Sequence, residues 1–195
     1  MNKLALGVLS LAVFLAACED PAANKPKATT TNSTTNATAP ANTAANANAN
    51  VVGNTPVANM ETKGTAYKIT PENSKVEFTG SKVTGKHDGG FKAFTGTIDL
   101  VNKKPEESKV SVVIDAASLF TDSDGLNDHL KSPDFFDVAK YPKAGFFSTK
   151  IVPDTAKGAG NYTVMGDFNL HGTTKSITFP AKITVNDADV SVESE

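Results

Sequence analysis

The segments "NYTVMGDFNL" at residues 161–170 and "SITFPAKITV" at residues 176–185 decide the fold. Every second residue of the first segment is apolar or glycine, and the intervening positions include Thr163, Asp167 and Asn169. The second segment alternates in the same way from Ile177 to Val185. An alternation with a period of two is typical of strands that bury one face. We therefore predict two long antiparallel strands, over residues 161–171 and 176–185, with a turn at "GTTK".

Similar segments recur along the last two-thirds of the chain, separated by turn residues. We predict strands over residues 66–70, 74–82, 91–101, 109–115 and 143–152, and a turn in "GKHDGG" at residues 85–90. Such strands fit a sandwich or a closed barrel, and their length favours a barrel because closure removes unpaired edges. The chain has 11 phenylalanines and no tryptophan. A barrel of about eight strands either fills itself with side chains or holds one small apolar ligand.

Residues 115–143 break this pattern. Leu126 and Leu130 are four residues apart and share one helical face. Ser132 fits the N-cap of a second short helix, with Pro133 at its first position and Asp134 in its first turn. The apolar residues of this second helix are Phe135, Phe136 and Val138. We interpret the insert as one or two short helices that form a lid across one end of the barrel. The lid either completes the core or walls an apolar cavity.

The first third of the chain is not globular in composition. Residues 1–17 have the layout of a secretory signal peptide, with Lys3 before an apolar run. The run ends in "LAAC", which resembles a bacterial lipobox with Cys18, the one cysteine of the chain, as the acylated residue; the alternative is an ordinary signal peptide. Residues 18–65 are rich in Ala, Asn, Thr and Pro, so we predict a disordered tether before a domain at residues 66–195. The net charge is −2 without a basic stripe, which argues against nucleic acid as a partner.

Three stretches carry a resemblance to the YceI-like family: "GGFKAFTGTIDL" (89–100), "GLNDHLKSPDFFDVAKYPKAGFFS" (125–148) and "NLHGTTKSITFP" (169–180). The similarity covers residues 67–195. It implies a lipocalin-like antiparallel β-barrel that holds a polyisoprenoid or another lipid, in a protein exported to the periplasm. Together with Cys18, it implies a lipoprotein anchored to a bacterial envelope membrane, the outer membrane being favoured over the inner one by Glu19.

The last residues affect the expected closure of the barrel. Family members continue with further strand sequence, whereas here Val190 and Val192 only begin an alternation in "DADVSVESE". We therefore expect one of three cases: a barrel that is incompletely closed at the C-terminus, a terminal strand that is covered in a homodimer, or a sequence that is incomplete.

The expected binding residues fall into an apolar and a polar set. The apolar pocket is predicted to consist of Phe78, Phe94, Ile98, Val112, Phe136, Phe147, Val164, Phe168, Phe179 and Ile183. The polar mouth is predicted to consist of Asp128, His129, Tyr141 and His171, with His129 fixing the lid through a hydrogen bond.

Two other functions compete with lipid binding. A filled barrel would instead be an interaction module for another envelope protein, and three converging histidines (His87, His129 and His171) would bind a metal. The chain has no GxSxG motif, and its one cysteine lies before the domain. The paired Asp134 and Asp137 are explained more simply by helix capping. We therefore expect no catalysis, no cofactor and no metal.

Overall fold

The computed structural model describes residues 28–31, 62–82 and 85–194. The predicted signal peptide, Cys18 and most of the predicted tether lie outside these residues. The described part contains eleven β-strands and one α-helix, α1 (Asp124–Lys131). In chain order the strands are β1 (Thr29–Thr31), β2 (Thr65–Ile69), β3 (Glu77–Lys82), β4 (Gly85–Phe91), β5 (Phe94–Leu100), β6 (Lys109–Asp115), β7 (Leu119–Thr121), β8 (Lys143–Pro153), β9 (Asn161–Leu170), β10 (Thr173–Val185) and β11 (Val190–Glu193).

The strands form two antiparallel sheets. The large sheet has the order β1-β10-β9-β8-β6-β5-β2, and β11 pairs with the end of β10. The small sheet has the order β3-β4-β7. The predicted all-β antiparallel class is thus confirmed. Among the described strands, no hydrogen-bonded pairing joins the two edges of the large sheet, so the predicted closure into a barrel is not confirmed.

The β9–β10 hairpin confirms the predicted alternation but not the predicted turn. Leu170 pairs with Thr173, so only His171 and Gly172 make the turn. Both have positive φ angles, 52° and 70°, as a tight two-residue hairpin loop requires. The prediction of a turn at "GTTK" is therefore wrong, because Thr173 and the two residues after it belong to β10.

The glycine-rich segment at residues 85–90 is a strand, and the turn predicted there is wrong. This segment forms most of β4, which pairs with β3 on one side and β7 on the other. A Cβ atom on Gly89 would lie 2.6 Å from the Phe120 carbonyl oxygen, and one on Gly90 would lie 2.6 Å from the Val76 carbonyl oxygen. These two glycines allow close approach of neighbouring chain segments rather than a reversal.

The insert contains one α-helix, which is one of the two expected alternatives. α1 carries Leu126 and Leu130 as predicted. Ser132 is the C-cap of α1 and not the N-cap of a second helix: its hydroxyl donates to the His129 carbonyl oxygen at 2.7 Å. The chain then continues in turns, and Asp137 has a φ angle of 44°, which a right-handed helix does not allow. None of the helices in the described residues is long and apolar enough to cross a membrane.

Strand β10 carries two short strands on its outer edge. β1 pairs with residues 176–178 and β11 pairs with residues 182–185, and Pro180 lies between the two contacts. All three residues of β1 are exposed. A strand therefore lies at Thr29–Thr31 within the predicted tether, and the disorder of residues 18–65 as a whole stays a prediction.

Candidate functional site

One face of the large sheet carries two separate apolar clusters. The first is centred on the buried residues Ile151, Val164, Ala181 and Ile183. Tyr162 packs against this cluster, and burial raises the pKa of its hydroxyl. The second cluster is centred on the buried residues Phe94, Ile114 and Ala144. The strand register places both clusters on the same face, because directly paired residues point to the same side of a sheet.

Between the two clusters, one row of paired residues crosses five strands. The row runs from β5 to β10 through Gly96, Val112, Phe146, Phe168 and Lys175. None of these five residues is buried, although buried residues lie on both sides of the row. We call this set the central row. It is an apolar band with two phenylalanines that are only partly buried, and its Phe146 and Val112 also pack against the first and the second cluster.

Gly166 allows an aromatic ring to pack directly on the backbone in the middle of this face. Gly166 lies on β9 directly opposite Ile177, and a Cβ atom there would overlap the ring of Phe146. The absence of a side chain therefore lets the Phe146 ring lie against the strand. The same ring contacts Phe179, with 5.4 Å between ring centroids. The middle of the face is thus lined by flat aromatic surfaces.

An aromatic chain connects the small sheet and the insert to one end of this face. Phe91 contacts Phe78 at 5.9 Å and Phe136 at 6.4 Å between ring centroids. Phe91 also packs against the second cluster. All three rings are partly exposed. The insert thus reaches the apolar face through Phe136.

The structure places most of the predicted pocket residues on this face or at its aromatic end. On the sheet face lie Phe94, Ile98, Val112, Val164, Phe168, Phe179 and Ile183. The prediction that Phe147 lines this face is wrong. Phe147 pairs with Ser111 and Asp167, whereas its neighbour Phe146 pairs with Val112 and Phe168 in the central row. Phe147 therefore points to the opposite face. That any of these residues binds a ligand stays a prediction.

Sequence reasoning missed two residues of the central row. One is Phe146, because the adjacent phenylalanines at 146 and 147 give the same signal in a strand. The other is Lys175, which pairs with Phe168 and is exposed at the β10 edge. The alternation of β10, continued back two residues from Ile177, could have located it.

The predicted polar mouth forms two separate contacts. Tyr141 and His171 stack with 4.3 Å between ring centroids, next to Gly172. Asp128 and His129 are exposed on α1, and His129 meets the exposed Phe135 edge-on at 4.8 Å. Within the described residues, the His129 side chain has this ring contact and not the hydrogen bond that we predicted.

The described residues do not gather a metal site. No group of three or more His, Cys, Asp or Glu side chains that could hold a metal is found among them. His87 instead pairs with Asp122 at 2.8 Å. The two other histidines make the ring contacts described above.

At the other end of the face, the sheet edges approach each other through side chains. Ile98 and Leu100 of β5 line a small cavity together with Val190 and Val192 of β11. Its volume is about 10 Å³, about the space of one water molecule. An ion pair of 2.7 Å between Lys103 and Asp187 bridges the loops next to these strands. Apolar packing therefore brings β11 towards β5 without a strand pairing.

The antiparallel sheets, the partly exposed apolar row and the aromatic insert define a lipocalin-like class of all-β domain. The model of the YceI-like domain matches residues 67–195, and the chain belongs to this family. This confirms the resemblance drawn from the three sequence stretches.

Relatives and solved structures agree with this assignment. A UPF0312 protein of Pseudomonas syringae pv. syringae is 45% identical over 93 residues, which are 48% of this chain and 47% of that protein. One of Vibrio parahaemolyticus is 39% identical over 123 residues, 63% of this chain and 60% of that protein. The chain thus spans about half the length of the curated relatives it matches.

Two solved structures share the fold. BcnA of Burkholderia cenocepacia superposes with a TM-score of 0.58 at 27% identity, covering 64% of this chain and 76% of that one. A polyisoprenoid binding domain from Saccharophagus degradans, implicated in plant cell wall breakdown, gives a TM-score of 0.50 at 19% identity over 68% of this chain and 75% of that one.

Proposed function

We propose that the domain binds a long-chain apolar ligand, a polyisoprenoid or another lipid, along the central row and carries or sequesters it. The observation that supports this function is the row itself, whose partly exposed phenylalanines lie between two buried clusters. An extended chain laid along the row would cover these side chains. The polyisoprenoid-binding domain of Saccharophagus degradans has the same fold, which makes this ligand class the first to test.

The chemistry of the row suits an uncharged chain. Its side chains are apolar from Val112 to Phe168, and the one charge is Lys175 at the β10 edge. Each buried CH₂ group contributes about 0.8 kcal/mol, so a long chain needs few polar contacts. Selection would then depend on the length and shape of the chain. A polar head group would remain at the rim, where Tyr141 and His171 stack.

The protein would act at a membrane and without catalysis. The sequence supports acylation of Cys18 after removal of residues 1–17, which would anchor the domain in the bacterial envelope facing the periplasm, preferably at the outer membrane. Two acyl chains or more hold a protein stably on a bilayer. The sequence offers the domain no nucleophilic cysteine and no GxSxG elbow, which supports a carrier rather than an enzyme.

Extraction of the purified protein tests this proposal. Organic extracts of protein from a bacterial host are analysed by mass spectrometry, and the emptied protein is titrated with a fluorescent prenyl probe. We expect one long-chain lipid per domain or saturable uptake of the probe. If no lipid co-purifies and the emptied protein does not take up the probe, lipid binding is contradicted.

A second candidate is an interaction module that uses the β11 edge. In the described residues β11 pairs only with β10, and Val192 is 40% exposed. An unpaired strand edge with an exposed apolar residue can add a strand from a partner or from a second copy. Light scattering of the full chain and of a chain without residues 187–195 tests for the homodimer. Identical monomer masses at all concentrations would exclude the homodimer.

A further inference from the structure

The geometry of β1 points to a clip: we propose that Thr29–Thr31 holds the domain close to its membrane anchor and turns the β10 edge towards the lipid surface. This inference rests on the proposed acylation of Cys18. β1 is antiparallel to β10, with Thr29 opposite Thr178, Thr30 opposite Ile177 and Thr31 opposite Ser176. Part of the predicted tether therefore pairs with the folded domain, although it lies far upstream of the first strand of the domain in the sequence.

The clip shortens the connection between anchor and domain. Thr29 is eleven residues after Cys18, whereas Thr65, the first residue of β2, is 47 residues after it. A fully extended chain spans about 3.3–3.6 Å per residue, so the two connections reach at most about 40 Å and about 170 Å. For flexible chains of these lengths, the root-mean-square distances are about 17–20 Å and about 34–41 Å. Pairing of β1 thus halves the mean separation.

The clip also decides which part of the domain lies nearest to the anchor. β1 lies at residues 176–178, next to Lys175 at the end of the central row. The anchor-side end of β1, Thr29, lies opposite Thr178, three residues from Lys175. The pairing therefore places the β10 edge, at which the central row ends, nearest to the anchor, and an apolar ligand would enter the row from the lipid surface at this edge.

The pairing can be removed without disturbing the core. All three residues of β1 are exposed, so backbone hydrogen bonds are its main contacts. Along a strand, only every second backbone N–H group points to a given neighbouring strand. Proline has no N–H group, so the double substitution Thr29→Pro and Thr30→Pro removes one hydrogen bond to β10 whichever of the two residues donates it. Thr34→Pro with Thr35→Pro is the matched control in the same tether.

Energy transfer on vesicles measures the separation. The full acylated chain carries Thr173→Cys, which gives the only free thiol when Cys18 is acylated. The donor dye on this thiol is combined with acceptor head groups in phosphatidylethanolamine–phosphatidylglycerol vesicles. We expect the Thr29/Thr30 variant to lose energy transfer, as the mean anchor-to-domain distance about doubles, and the Thr34/Thr35 variant to match the unaltered chain. Equal transfer in all three proteins would overturn the clip.

Two further measurements separate the clip from the anchor. Flotation of the same vesicles reports anchoring, and protein that stays in the aqueous fraction would overturn the acylation of Cys18. Hydrogen exchange of the non-acylated Cys18→Ser protein reports the pairing without a membrane. We expect residues 176–178 to exchange faster in the Thr29/Thr30 variant, and unchanged exchange would overturn the clip even if anchoring is present.

Discussion

Filling the central row should abolish ligand binding without unfolding the domain, and Val112→Phe tests this. Val112 lies between Gly96 and Phe146 in the row and is only partly buried. A phenylalanine at this position would place its ring on the partly exposed part of the face. The matched control is Val113→Phe, because Val113 is the next residue of β6, is also partly buried and points to the opposite face.

The structure gives a magnitude for the loss. The larger side chain displaces about four carbon atoms of a bound chain, which at about 0.8 kcal/mol per CH₂ corresponds to about 3 kcal/mol, or roughly 200-fold in Kd. The free energy of unfolding of Val112→Phe should stay within about 1 kcal/mol if the ring turns to the partly exposed side of Val112. Inserting it into a filled core would instead cost about 1–3 kcal/mol.

The assay combines a titration with a denaturation curve. The Kd of a fluorescent prenyl probe and the unfolding midpoint in urea are measured for both variants and for the unaltered protein. Weaker binding by Val112→Phe alone, at unchanged stability, supports the central row as the site. If Val112→Phe unfolds more easily and binds the probe as before, the row is part of a filled core and the reasoning fails.

Three other predictions concern stability and titration. Gly172→Ala should lower the free energy of unfolding by about 1–2 kcal/mol or more, because an alanine there takes a left-handed conformation and its Cβ lies 2.6 Å from the Tyr141 ring. Asp99→Ala should cost about 1–3 kcal/mol in urea denaturation, because the buried Asp99 carboxylate accepts two backbone N–H groups at 2.8 Å. The hydrogen bonds that Lys104 and, to a smaller extent, Asn102 donate to Glu107 lower the pKa of its carboxyl group. The ionised carboxylate therefore stabilises the fold at pH values above its ordinary pKa, and this stabilisation is lost as the pH falls through the lowered pKa. In an NMR titration, Lys104→Ala should therefore raise the pKa of Glu107.

Each of these predictions has a result that contradicts it. Gly80→Ala is the control for position 172, because no atom lies within 4 Å of a Cβ at Gly80; equal losses at both glycines would refute the role of the turn. Asp187→Ala is the control for Asp99, since its ion pair with Lys103 is exposed and worth about 0–1 kcal/mol. Equal costs at the two aspartates would show that the buried contacts of Asp99 are not the cause. An unchanged Glu107 pKa in Lys104→Ala would exclude that ion pair as the main cause of the shift.

Much of the sheet could be predicted because its strands alternate clearly. β6 begins and ends where its valines and isoleucine predict, and β8 and β9 differ from prediction by one residue at one end. The glycines of β4 misled the prediction, because glycine permits both a turn and the close approach of a neighbouring chain. Only the position of Phe120 beside Gly89 decides between the two, and that contact joins residues distant in sequence.

The site was less predictable than the strands. The choice between Phe146 and Phe147 depends on the register of β8 against two partners, and β8 contains a register shift between Ser148 and Lys150. A one-residue difference in register moves a side chain to the other face. A second helix after Ser132 does not form, although the Ser132 hydroxyl both donates to the His129 carbonyl and accepts from the Asp134 N–H. The chain leaves the helical conformation at Asp137, whose φ angle is 44°.

Pro180 has a consequence for the solubility of the protein. It separates the parts of β10 that pair with β1 and with β11, and a proline in a strand normally turns its nitrogen, which carries no hydrogen, to the open side. A single long strand from a neighbouring molecule would therefore find no N–H donor on β10 at Pro180. The edge can therefore accept two short segments of its own chain but is a poor template for fibril growth.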